Sequence, residues 1–267
     1  MILVGTCGYS YPDWKGAFYP EDTRDGQMLT YYSSQFPAVE LDFTYYRMPA
    51  PRTMEQIERK TPAGFEFAIK AFKGMTHEIP QRPDDAREMF SAFREALEPF
   101  VSTGKLGAVL AQFPFAFRPG NENRAYIQTF RELLADTPVV VEFRNREWVT
   151  QETFDFLGQN DLGFCAVDEP ALKGLMPRVG AVTSSDLAYL RFHGRNAAKW
   201  WKHDEVWERY NYLYTAEELA EWLPRIEEMA SKSKKVFLLF NNCHAGQAAR
   251  NARMMLELLP QGGTANG

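Results

Sequence analysis

The sequence predicts a single α/β domain folded as a (β/α)8 TIM barrel, with eight parallel strands and a long loop after the seventh. Three observations carry that expectation. Eight short runs rich in Val, Ile, Leu and Phe recur along 267 residues. Helical patterns fill most of the intervals between them. No Gly/Pro-rich linker divides the chain, whose length is close to the ~250 residues typical of this fold. A doubly wound open sheet would use the same alternation, but no run is followed by G-x-G-x-x-G.

Taken in order, the first run is ILVGTC (2–7), and of the aromatic segment after it only LTYYSSQF (29–36) has a helical pattern. AVELDFT (38–44) is second, with a short helix expected after Pro51, and FEFAIK (65–70) is third. Met89, Phe90, Phe93, Leu97, Phe100 and Val101 then recur at three- and four-residue spacing, predicting a helix from Asp84 to Val101 with Asp84 or Asp85 as N-cap and Gly104 as stop. LGAVLAQF (106–113) is followed by the stripe Tyr126, Ile127, Phe130, Leu133 and Leu134. VVVEFR (139–144) precedes a short helix after Thr150, and LGFCAV (162–167) is the sixth strand. After LAYLRFHG (187–194) and its long loop, Thr215 and Glu218 form a capping box before Leu219, Trp222, Leu223, Ile226 and Met229. KVFLLF (235–240) closes the set, with a helix after Gly246. Residues 1–260 are thus expected to be one domain and QGGTANG (261–267) a flexible tail.

Composition narrows the function classes. A net charge of −5 and a pI near 5.5 exclude a broad basic face for duplex nucleic acid, while leaving room for a local basic pocket. The longest apolar runs, such as VFLLF (236–240), are far below the ~20 residues of a membrane helix, so no membrane partner is expected. The N-terminus has no basic segment ahead of its first strand, and three cysteines lack disulfide or metal spacing, which predicts a cytoplasmic protein. No oligomeric state is read from it.

Strand parity locates the candidate site. In VVVEFRNREW (139–148), Val139, Val141 and Phe143 share one parity, so Glu142 and Arg144 are expected to point into the barrel at its C-terminal mouth, where this fold places its active sites. The same logic selects Glu40 on the second strand, Lys70 on the third, Asp168 on the sixth, and Arg191 and His193 on the seventh, with Arg195 just beyond. Glu142 and Glu40 are candidate acid/base groups, and His193 a candidate proton carrier. Lys70, Arg144, Arg191 and Arg195 are expected to hold an anion. In NNCHAGQAARN (241–251), Asn241, Asn242 and Gly246 precede a helix whose free N–H groups favour a phosphate. The loop HGRNAAKWWKHDEVWERYNYLY (193–214) is aromatic and basic, as a lid or stacking wall would be. No cofactor is predicted. Glu40, Glu142, Asp168, His193 and His244 are of types that bind a divalent metal, but no local ligand motif joins them. The competing structural reading makes the inward charges a paired network, with Glu142 held by Arg191 or Arg144.

The segments GTCGYSYPDWKGAFYP (5–20), VELDFTYYRMP (39–49), GFEFAIKAFKGMTH (64–77), VEFRNREW (141–148), VDEP (167–170), YLRFHGRN (189–196) and FLLFNNCHAGQAARNA (237–252) together resemble the domain-of-unknown-function-72 proteins, nearly end to end. That resemblance implies a TIM barrel. It adds Tyr11, Trp14 and Tyr46 to the candidate binding residues, with no role attached. Cys7, Asp42 and Cys243 depart from the residues usual in that pattern. The expected function is an enzyme of hydrolase or lyase type acting on a small anionic ligand, a phosphorylated sugar or a nucleotide. The alternatives are a metal-dependent phosphoesterase or endonuclease-like activity on nucleic acid, and a non-catalytic nucleotide or nucleic-acid binder.

Overall fold

A computed structural model describes residues 1–260; the expected tail, 261–267, lies outside them. Eight parallel strands close in sequence order: β1 (Ile2–Cys7), β2 (Ala38–Leu41), β3 (Glu66–Lys70), β4 (Leu106–Gln112), β5 (Val139–Glu142), β6 (Gly163–Asp168), β7 (Leu187–Phe192) and β8 (Lys235–Phe240). The seam pairs β1 with β8, from Ile2 opposite Val236 to Thr6 opposite Phe240. The barrel is therefore the fold, as the alternation of strand and helix signals predicts.

Around it lie α1 (Met28–Ser33), α2 (Phe43–Tyr46), α3 (Pro51–Glu58), α4 (Pro83–Ser102), α5 (Asn121–Leu134), α6 (Gln151–Gln159), α7 (Val206–Arg209), α8 (Ala216–Ala220), α9 (Leu223–Lys232) and α10 (Gln247–Leu258). Of the helix boundaries that differ from expectation, two have a clear backbone reason. α4 is capped by extended Arg82, with Pro83 at its first position. A proline there sacrifices no intrahelical hydrogen bond, and Asp84 and Asp85 then sit in the first turn, where the helix dipole favours them. The single helix expected after Thr215 is two. Its capping box forms, with Glu218 N–H donating to Thr215 Oγ1 (3.3 Å) and Thr215 N–H to Glu218 Oε2 (3.0 Å). Pro224 then has no N–H to continue α8, and α9 starts afresh at Leu223.

β2, β5 and β7 stop two or three residues short of the predicted runs. Asp42, Arg144 and His193 consequently lie just beyond the hydrogen-bonded ladder, at the C-terminal rim. The outward parity packs as expected: Phe143 stacks on Trp148 at 4.2 Å, and Phe113 on Phe117 at 4.1 Å. Most of the buried apolar residues form one cluster running from Ile2 to Leu259. Among the described residues no helix is long and apolar enough to cross a membrane.

Candidate active site

The inward parity of β7 sets the chemistry of the barrel axis. The Tyr189 hydroxyl donates to Glu40 Oε2 (2.7 Å). One turn of the pleat higher, Arg191 donates to both oxygens of Glu40, from Nε at 3.0 Å and Nη2 at 2.5 Å, and from Nη1 to Glu142 Oε2 at 2.8 Å. Glu142 Oε1 is ion-paired with Arg144 Nε at 2.5 Å. His193 lies above: Asn241 Nδ2 donates to its Nδ1 (3.0 Å), so the neutral ring carries its proton on Nε2, 3.3 Å from Glu142 Oε1. Glu40, Glu142 and His193 have no solvent-exposed surface, and Arg191 has 1%.

These environments drive the ionisable groups apart. Burial raises the Glu40 carboxyl to about 7 even with Arg191 beside it. Burial also pushes Glu142 upward, but Arg144 and Arg191 together outweigh it and hold that carboxyl well below the usual range. Burial and the nearby Arg144 lower His193 to about 3. At neutral pH the axis thus holds an ionised Glu142, a neutral histidine and two guanidinium groups.

Above this floor the mouth opens into two adjoining lobes that share Tyr46, Lys70 and Tyr210. The smaller, about 270 Å³, carries Arg144, Gln112, His77, Arg209 and Glu169. The larger, about 760 Å³, carries Tyr11, Asp13, Asp42, Trp207, Asn241 and His244. Among the described residues Lys70 Nζ approaches no carboxylate closer than 3.9 Å, to Asp42, and it rests 4.6 Å from the centre of the Tyr45 ring. The loop after β7 crosses the mouth, so Trp200, Trp201 and Tyr210 wall the smaller lobe and Trp207 the larger.

A family model described as "Protein of unknown function DUF72" matches residues 3–266. The chain belongs to the DUF72 family. It is 38% identical to the UPF0759 protein YunF of Bacillus subtilis over 270 residues, which are 97% of this chain and 95% of that protein. Among solved structures, a DUF72 protein of Thermotoga maritima is 40% identical with a TM-score of 0.88, covering 97% of this chain and 98% of its own. A DUF72 protein of Enterococcus faecalis is 31% identical with a TM-score of 0.86, over 97% and 95% of the two chains.

In this DUF72 protein, Lys70, Arg144, Asn241, Tyr11 and Tyr46 line the mouth, with Glu40, Glu142, Arg191 and His193 beneath it. The other sequence candidates lie elsewhere. Asp168 has the opposite parity and faces the helices, where it accepts from Tyr214 Oη (2.7 Å), Trp222 Nε1 (2.7 Å) and the Arg195 fork (2.9 and 2.8 Å). Arg195 is displaced with it, because Gly194 at φ +88° turns the chain out of the strand. Asn242 is buried, donating to Tyr212 O and Asn251 Oδ1, both at 2.8 Å. Trp14 is fully buried behind Tyr11, its Nε1 donating to Cys243 O (2.6 Å). Gly246 starts α10 at φ +73° but is buried against Ala17, and the neighbouring N–H of Ala245 is already taken by Asp13 Oδ2 at 2.7 Å. Asp13 thus holds the backbone just ahead of that helix start.

Two features were not expected. Glu169, one residue past Asp168, is the acid that turns inward: its Oε1 accepts from Met176 N–H (2.8 Å) and its Oε2 lies 3.6 Å from Arg144 Nη1. Adjacent acids in VDEP leave only strand register to choose between them. Cys7, Glu40 and Asp42 converge closely enough to hold a metal ion. That place is filled by Arg191 Nη2, 2.5 Å from Glu40, 3.4 Å from Cys7 Sγ and 3.8 Å from Asp42. The donor set does not fit a divalent ion while the guanidinium stands there.

Asp168 provides a first prediction. Asp168→Ala leaves the buried Trp222 N–H and Tyr214 O–H without their acceptor, so urea denaturation is expected to show a loss of about 2–3 kcal/mol.

Proposed function

We propose that this protein is an enzyme of hydrolase or lyase type that binds a small phosphorylated ligand in the smaller lobe and transfers a proton to it from Glu169. Glu169 carries the reading. It is 2% exposed, its Oε2 has no hydrogen-bond partner among the described residues, and that oxygen faces Arg144 on the wall of the lobe. A buried polar atom without a partner costs free energy in a fold that gains nothing from it. Burial raises this carboxyl to about 7, so near neutrality a large share of it keeps a proton, with no acceptor for that proton among the described residues. Arg144 and Lys70 supply the charge that an anion needs, and Arg144 is locked in place by Glu142.

In a hydrolysis, the Glu169 proton goes to the departing oxygen as its bond to the phosphoryl or carbon centre breaks. Water supplies hydroxide to that centre, and its remaining proton restores the acid. In an elimination the same proton leaves with the departing group, and a proton taken from the adjacent carbon replaces it.

A thermal-shift screen of phosphorylated metabolites tests the reading. Compounds that stabilise the wild type are expected to lose that effect in Lys70→Met, and at least one is expected to be turned over. If none stabilises the protein, the anion site is abandoned.

A pH titration sharpens it. An anion binds best beside neutral Glu169, so sulfate affinity is expected to be flat between about pH 5 and 6, above the range in which His77, lowered to about 4, takes up its proton. It falls by up to about tenfold per pH unit above 7, as the carboxyl ionises. Sulfate is the probe because it does not itself titrate in this range. In Glu169→Gln the fall disappears; a fall of the same slope in that variant removes Glu169 from the linkage.

A further inference from the structure

We infer that the ligand is a sugar phosphate rather than a nucleotide, with its polyhydroxylated part in the larger lobe; this rests on the anion reading of the smaller one. The two lobes differ in the charged groups that line them. Arg144, Lys70 and Arg209 make the smaller lobe a set of donors. The larger lobe shares Lys70 but adds two carboxylates, Asp42 and Asp13. Asp42 Oδ1 is buried with no hydrogen bond among the described residues, 3.9 Å from Lys70 and 3.8 Å from Arg191. Asp13 faces the same space, its Oδ2 accepting the Ala245 N–H. Asn241 uses one of its two amide N–H groups on His193, so its carbonyl oxygen remains to accept beside its second N–H.

A carboxylate accepts and cannot donate at neutral pH, so this lobe repels a second phosphate and suits a part of the ligand rich in O–H donors. Its walls are aromatic. Tyr46 is 72% exposed, and Trp207 is 46% exposed and stacked at 4.2 Å on His244. Ring faces cover the C–H surface of a sugar while the carboxylates take its hydroxyls. A base would need the aromatic faces for stacking and would leave the Asp42 and Asp13 pair largely unused. Lys70 lines both lobes, where a phosphate joined to the sugar would cross from one to the other.

Calorimetry with inorganic phosphate, a hexose 6-phosphate and adenosine monophosphate tests this on the wild type, Asp42→Asn and Trp207→Ala. The hexose phosphate is expected to bind at least about tenfold more tightly than inorganic phosphate, and Asp42→Asn to erase that ratio while inorganic phosphate binds as well as before or better. Asp13→Asn, at a half-exposed position, repeats the loss in part and guards against a folding defect in the first variant. Inorganic phosphate binding with no gain from the hexose overturns the inference and leaves the anion site standing. So does tighter binding of adenosine monophosphate that is lost in Trp207→Ala and kept in Asp42→Asn. Absence of binding by inorganic phosphate and hexose phosphate alike overturns both readings together.

Discussion

Arg191→Met is expected to destabilise the barrel by about 3–5 kcal/mol, lowering the melting temperature by on the order of 10 °C. The guanidinium is the shared counter-charge of two carboxyl groups that have no solvent-exposed surface, Glu40 and Glu142. Methionine fills a similar volume but leaves both acids to be buried without it, and removing one partner of such a set costs far more than replacing the whole set with apolar groups. Lysine does not substitute, because one ammonium cannot reproduce the fork that spans Glu40 and Glu142. The sign of the pH dependence follows from Glu142. Its folded pKa is depressed, so it contributes stability above its ordinary value of 4.5 that is lost as pH falls through the folded one. Without Arg191 part of that contribution goes, and Glu40, already at about 7, rises further. Both changes penalise high pH, so the deficit measured by urea denaturation is expected to be larger at about pH 8 than at about pH 5. Adding Glu142→Gln to Arg191→Met is expected to restore part of the loss at the higher pH. Wild-type stability of Arg191→Met at about pH 8 would falsify the network's structural role.

The reach of the sequence can be judged from β5, β6 and β7. VVVEFR alternates apolar and polar residues at its end, so parity alone sends Glu142 and Arg144 inward; Arg191 and His193 follow from the same alternation in LAYLRFHG. LGFCAV is apolar on both parities, so nothing in it fixes which of Asp168 and Glu169 enters the mouth, and a slip of one residue exchanges their faces. Arg195 was out of reach for a related reason: the alternation ends at Gly194, whose positive φ turns the chain away. Tyr210, Arg209 and Trp207 come from a loop with no period, and their place over the mouth depends on distant anchors. Asn196 Nδ2, for example, donates to Glu208 O (3.0 Å) and Asn211 O (3.2 Å). Of the sequence expectations for the inward charges, the paired network is visible in the hydrogen bonds of Arg191. The buried layer is the paired network, and the layer above it, built from Lys70, Arg144, Asp42 and Glu169, faces the cavity.

Glu169→Gln is expected to lower kcat by about 10²–10⁴-fold on whichever phosphate ester the screen identifies, with KM changed by no more than a few-fold. Glutamine keeps the Oε1 acceptor for Met176 N–H, so the loop after β6 retains its anchor while the proton on the other oxygen is lost. The structure also separates this effect from misfolding. Burial raises the folded pKa of Glu169 to about 7, so the wild type loses stability as pH rises from 4.5 through that value; the amide does not titrate and loses none. At about pH 8 the variant is therefore expected to be at least as stable as the wild type, and a slow, stable, ligand-binding enzyme is the result that assigns the proton transfer. The pH profile provides the second reading. An acid that must carry its proton gives a wild-type rate that declines above about 7, whereas the residual rate of the variant is flat there. If the variant turns over at the wild-type rate, or declines with the same profile, the transferred proton comes from another group. Glu40 is then the next carboxyl to replace, since it too is raised to about 7, although Arg191 and Tyr189 occupy both of its oxygens.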